Sequence, residues 1–180
     1  MTVSDPVTTL VACLKTEPFD AALAVADSAL RSGRVRRDEL LHAIGRSSRT
    51  GRSRALTVAL AADRRAANPF ESCLRAICLG VDGLAVRPQV QIGPYRVDLA
   101  DTDLGLVVKA ESRQWHAGPD EHNADIRRYT TLVRSGWIVV RFTWDDVMHD
   151  PEYVARVLIE VIALARRTRR ARSGGGQAAA

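Results

Sequence analysis

Lysine is almost missing from this chain. Lys15 and Lys109 are the only two, so arginine supplies nearly all of the positive charge. Arginine's planar fork suits phosphate, but a composition rich in arginine and alanine also follows from a GC-rich genome, and composition leaves both readings open. Cysteine is scarce as well: Cys13, Cys73 and Cys78 form an odd set with no CxxC pair. That argues against a disulfide framework and for reduced, buried thiols. No apolar run approaches the roughly 20 residues that cross a bilayer, and no charged segment followed by a long apolar run opens the chain. A cytoplasmic protein without a membrane span is expected. Also absent are GxxxxGK[ST], GxSxG, HExxH and GxGxxG, which removes support for a nucleotide cofactor, a serine hydrolase or a zinc protease. His116 and His122 lack the cysteine or carboxylate company of a zinc site.

What is present suits a folded chain of 180 residues, 46% of them hydrophobic, with a net charge of +5. From Val7 to Ala67 the apolar residues recur at helical spacing. Leu10, Val11 and Leu14 begin one stripe; Phe19, Leu23, Ala26 and Leu30 form a second that stops at Gly33. Arg36 to Ile44, with Gly45 as its stop, and Ala55 to Ala66 read as two more helices, and Pro69 to Leu79 as a fifth, with proline in its first turn. The period then changes to two. Val90 and Ile92, then Val97 and Leu99, alternate with polar residues, and Leu106-Val107-Val108 opens a third strand. A charged helix from Asp120 to Arg134, a buried-type strand Trp137 to Phe142 and a last helix from Pro151 to about Arg167 complete the pattern. The expected fold is α/β (α+β), a mixed sheet flanked by helices behind a small all-helical segment. The expected divisions are 1–67, 68–167 and a basic, then Gly/Ala-rich disordered tail at 168–180.

The chemistry concentrates around Val107-Val108-Lys109-Ala110-Glu111. A polar turn, Asp101 to Gly105, separates this strand from Val97-Asp98-Leu99. An even loop centred on Asp103-Leu104 sets Asp98 opposite Lys109 and Arg96 opposite Glu111, with Asp98, Lys109 and Glu111 on one face. Directly opposed side chains root about 5 Å apart and diagonal ones about 7 to 8 Å, so Asp98 and Glu111 are within reach of one cation. Phosphodiester hydrolysis uses such a group: carboxylates hold Mg2+, the metal activates water, and a lysine offsets phosphate charge. The same three residues also make an ordinary cross-strand ion pair, and Glu71 at a helix N-terminus is explained by the helix dipole alone.

Several segments carry a resemblance in matching order. They are Asn68-Pro69-Phe70-Glu71-Ser72, Arg87-Pro88-Gln89-Val90, Val97-Asp98, Val107 to Glu111, His116, Asp125-Ile126-Arg127-Arg128, Gly136-Trp137 and Val140 to Asp146. From Glu71 to about Ile162 the chain resembles the DUF559 family, a very-short-patch-repair-like branch of the restriction-endonuclease-like PD-(D/E)XK superfamily. The resemblance implies a DNA endonuclease that hydrolyses phosphodiester bonds. Asp98 and Glu111 would be metal ligands, Lys109 would stabilise charge, and Glu71 and His116 would complete the catalytic set. Arg96, Arg113, Arg128 and Arg141 would meet the nucleic acid. The chain departs from the family pattern at the centre: Lys109 stands where a glutamate is usual, and Glu111-Ser112 where Asp-Gly is usual. This leaves a second implied reading, a catalytically inactive nuclease-fold module that binds nucleic acid or a protein partner, including a second copy of itself. Family members also carry a winged-helix, antitoxin-like segment in front, whose tail the helices before Glu71 resemble.

Overall fold

A computed structural model describes residues 5–111 and 119–175, with side chains described for 5–111 and 123–169. It divides into two compact units, Met1–Ala76 and Ile77–Ala180.

The first unit is helical: α1 (Pro6–Thr16), α2 (Phe19–Ser32), α3 (Arg37–Arg46), α4 (Arg52–Ala61) and the start of α5 (Pro69–Leu79). Asp5 caps α1, its carboxylate accepting the Thr8 N–H at 3.0 Å, and Pro6 occupies the first turn, where no partner for its missing N–H is needed. The periodic apolar residues face inward: Leu14, Leu23, Ala26, Leu40, Ile44, Ala55 and Val58 are all buried in one cluster. Gly51 opens α4 at φ 71, and a Cβ there would sit 2.9 Å from the Lys15 Cβ, so the approach of α1 requires glycine as much as the backbone does.

The expected fourth helix reached Ala66, but α4 ends at Ala61. The reason is a buried charge. Asp27 of α2 is fully enclosed and pairs with the almost fully buried Arg75 of α5 at 2.8 Å. It also accepts the Ser72 hydroxyl at 2.7 Å and the Asp63 N–H at 2.6 Å. The chain after Ala61 leaves the helical path to deliver that N–H, and Arg75 takes the Ala61 carbonyl freed at the helix end, at 2.8 Å.

The second unit carries β1 (Arg87–Ile92), β2 (Tyr95–Asp101), β3 (Leu106–Glu111), α6 (Pro119–Arg134), β4 (Ile138–Thr143), α7 (Trp144–His149) and α8 (Pro151–Gly175). Its four strands lie in the order β1-β2-β3-β4, the first three antiparallel and β3 parallel to β4. Only the parallel step needs a long crossover, and it contains α6. The β2–β3 turn has the even-loop register, Leu99 facing Val108 and Asp101 facing Leu106. Buried Asp101 sets it: one carboxylate oxygen accepts the N–H groups of Asp103 and Leu104 at 3.0 and 2.9 Å, and the other accepts that of Ala85 at 2.8 Å.

Strand alternation sorts β3 into two faces. Val107 joins Tyr129 and Leu132 of α6 in one core cluster, so Lys109 and Glu111, of the same parity, lie on the α6 side. Ala110 is paired with Phe142, whose ring meets Tyr153 of α8 edge-on at 6.4 Å, so α8 covers the opposite face. Sheet and helices are therefore arranged as the α+β expectation requires.

Two further elements differ from expectation. Helix α7 was not foreseen; Thr143 and Asp146 form a reciprocal cap at its start, each side chain bonding the other's backbone N–H. Helix α8 runs through the arginine run to Gly175, past the expected end at Arg167. The rest of the expected tail, 176–180, lies outside the described residues. Among the described residues no helix is long and apolar enough to cross a membrane.

Candidate functional site

The face of β3 turned toward α6 gathers six charged side chains. Strand β3 supplies Lys109 and Glu111, β2 supplies Asp98, β4 supplies Arg141, and α6 supplies Asp125 and Arg128. The β2–β3 ladder runs to the Leu99–Val108 pair, one step from Asp98 and Lys109. Beyond it, the Asp98 carboxylate accepts the Ala110 N–H at 3.2 Å, so Asp98 takes over where strand-to-strand bonding ends.

Lys109 is the central cation. Its ammonium lies 3.8 Å from the Asp125 carboxylate and 5.6 Å from the centre of the Tyr129 ring. Burial works to lower its pKa. The charge of Asp98, the phenol of Tyr129 and the charge of Glu111 together outweigh burial and raise it above the usual 10.5. Charged Lys109 therefore stabilises the fold in full below pH 10.5, and that contribution is lost as pH rises through the elevated folded value.

Arg141 stands beside Lys109 in the β3–β4 register. Its guanidinium stacks 5.0 Å from the Tyr129 ring centre and donates two hydrogen bonds to one Glu111 oxygen, at 2.8 and 2.6 Å. Tyr129 thus serves both cations as a π-face. Arg128 completes the set with Asp125 at 3.5 Å.

The structure brings together Asp98, Lys109, Glu111, Arg128 and Arg141 of the sequence-derived residues. Arg96 faces Gln91 in the β1–β2 ladder, and the cation bonded to Glu111 is Arg141. Glu71 belongs to the other unit, where one carboxylate oxygen accepts the Ala67 N–H at 3.0 Å and the other the Asn68 side-chain amide at 2.9 Å, closing the turn into α5. Arg113 and His116 lie outside the described residues.

Two neighbours were missed in the sequence. Tyr129 is legible as an α6 residue but not as the stacking surface for cations from two strands. Gln89 falls between the Pro88–Leu99 and Val90–Val97 pairs, across from Asp98, with φ 55. That left-handed conformation costs about 1–2 kcal/mol for a residue with a side chain, and strain of this kind gathers at functional sites.

Magnesium is the metal implied by this grouping, and the donors as arranged do not suit it. Three carboxylates, Asp98, Glu111 and Asp125, stand among three cations, Lys109, Arg128 and Arg141. One Glu111 oxygen is clasped by Arg141, and Asp98 faces Lys109. Magnesium demands oxygen ligands in near-ideal octahedral geometry, and the Glu111 oxygen bonded to Arg141 is already engaged.

The comparisons with known proteins agree with the fold. The model of the REase_MTES_1575 family, a restriction-endonuclease-like family, matches residues 72–162. Two Mycobacterium tuberculosis proteins, titled uncharacterized protein MT2308 (strain CDC 1551 / Oshkosh) and uncharacterized protein Rv2248 (strain ATCC 25618 / H37Rv), are each 35% identical over 162 residues. The match covers 86% of this chain and 57% of each relative, so the chain spans little more than half their length. No solved structure matches. With the family model spanning the α5 to α8 region in the order that builds the sheet, the chain belongs to the restriction-endonuclease-like REase_MTES_1575 family.

Proposed function

We propose that this chain is a nuclease-fold protein of the cytoplasm that engages DNA at the β3 face without hydrolysing it. The finer placement within the very-short-patch-repair-like DUF559 branch is part of this proposal. The observation that carries it is the pairing of Arg141 with Glu111 beside Lys109. These cations hold the positions that oppose the carboxylates, and they supply in protein form the positive charge a metal would bring. Phosphate can approach such a face by exchanging partners with guanidinium and ammonium groups, whereas a water-activating metal would have to compete with Arg141 for Glu111.

A second reading is favoured by one observation: the β2–β3 register puts Asp98 and Glu111 on the same face of the sheet beside Lys109. In that reading Arg141 releases Glu111 when DNA arrives, and Asp98 and Glu111 hold Mg2+ for endonuclease chemistry.

Supercoiled, nicked, mismatched and single-stranded DNA, offered with magnesium or manganese, separates the two. Binding that weakens with salt, with no cutting, supports the first. Cutting that vanishes in Asp98→Ala establishes the second, and cutting that persists in Asp98→Ala removes both.

A further inference from the structure

The net charge is not spread evenly. Residues 1–76 contain twelve Lys and Arg against eight Asp and Glu, a net of +4, whereas residues 77–180 contain fourteen against thirteen, a net of +1. The excess lies in the helical unit rather than in the nuclease-like one, where the family's chemistry would be expected to need it.

Part of that excess lines a cavity. An open concavity of about 600 Å³ in the helical unit is lined by Arg36, Arg37, Arg64 and Arg65 together with Asp38 and Asp63, over the buried Leu30 and Val35. Its size falls in the range of small-molecule sites. Two of the arginines are neutralised. Arg36 pairs with Asp38 through two hydrogen bonds of 3.1 Å, and Arg65 grips Asp63 at 2.6 Å. Arg37 is not: its guanidinium donates to the carbonyls of Ala59, Leu60 and Ala62 at the end of α4, which orders it and leaves its full charge. Arg64 is exposed and has no carboxylate partner among the described residues.

The α3 N-terminus borders the same concavity, but Asp38 and Glu39 in its first turn already offset the dipole, Glu39 accepting the Arg36 N–H at 3.1 Å. The cationic character therefore rests on an ordered guanidinium, Arg37, and an exposed one, Arg64, neither with a carboxylate partner among the described residues, and this pair matches a phosphate group.

We infer that this concavity binds a phosphate ester, with Arg64 and Arg37 as its principal cationic contacts. The same chemistry is offered by a free phosphate compound and by the phosphodiester backbone of a nucleic acid. The site is separate from the β3 face, and its existence does not depend on what that face does.

The test uses the full chain, with inorganic pyrophosphate and a short DNA duplex as probes, titrated at low salt. The variants are Arg64→Glu, which alters an exposed side chain, and Lys109→Ala as the control at the β3 face. Circular dichroism confirms that each variant is folded. The expected result is a loss of about tenfold or more in affinity for at least one probe in Arg64→Glu, whatever Lys109→Ala does at the β3 face. Loss with pyrophosphate identifies a free phosphate compound as a sufficient ligand; loss with the duplex alone identifies the backbone. Affinities for both probes unchanged by Arg64→Glu, or no binding of either probe by the wild-type chain, would overturn the inference. DNA affinity that falls in Lys109→Ala while Arg64→Glu changes affinity for neither probe would overturn it and leave the reading of the β3 face intact.

Discussion

Each unit of this molecule is organised around an arginine–carboxylate pair, and the two pairs do opposite work. Asp27 and Arg75 are both sealed from solvent, with side-chain exposures of 0% and 4%, whereas Glu111 and Arg141 remain 33% and 44% exposed. The first pair ends α4, fixes α5 against α2 and has its oxygens filled by Ser72, Asp63 and Arg75. The second lies over Tyr129 at the rim of the sheet, where solvent screens it and a ligand can reach it. Burial, rather than residue type, separates a structural pair from an available one.

Removing one member of the buried pair should have the largest effect. Asp27→Ala leaves Arg75 charged without its partner and takes an acceptor from Ser72 and Asp63, so a loss of about 3–5 kcal/mol is expected in denaturant unfolding. A loss below about 1 kcal/mol would mean that the pair is no more structural than the one at the rim.

An intermediate loss is expected at Asp101, a buried carboxylate of the second unit that orders a turn rather than pairing with a cation. Asp101→Ala strips acceptors from three N–H groups, a cost of about 1–3 kcal/mol measured by the same unfolding transition. Arg141→Ala should change stability by no more than about 1 kcal/mol, because its pair is substantially exposed. Its DNA affinity should nevertheless fall, and the contrast with Asp27→Ala is the sharpest form of the comparison.

The smallest effect concerns pH. Because Lys109 has a raised pKa, the wild-type chain should lose stability relative to Lys109→Met as the pH rises from 10.5 through the elevated folded value, and the two should run parallel below 10.5. Parallel unfolding free energies across the whole range would show that the surrounding carboxylates do not hold the ammonium.

Local signals made much of this arrangement legible in the sequence. The even loop from Thr102 to Gly105 fixed the β2–β3 register and put Asp98, Lys109 and Glu111 together, because a hairpin's pairing follows from its turn. The Arg141–Glu111 clasp was not legible. Strand β4 reaches β3 across the α6 crossover, so no loop length sets that register. The Asp27–Arg75 bond joins residues 48 apart through two helix faces that read as plain amphipathic patterns, and without it the end of α4 could not be placed. The α7 cap was visible as Thr143 and Asp146, but six residues are too few for a helical period to emerge. The left-handed φ of Gln89 left no trace, since glycine, the residue that usually signals it, is absent there.

In the function proposed above, Lys109 and Arg141 occupy the electrostatic place of a metal between Asp98 and Glu111. Calorimetric titration with Mg2+ and Mn2+ tests this substitution of charge most directly, on the wild-type chain, on Lys109→Glu and on Asp98→Ala. The expected result is no saturable metal binding by the wild-type chain and new binding in Lys109→Glu. Saturable binding by the wild-type chain that disappears in Asp98→Ala would contradict it.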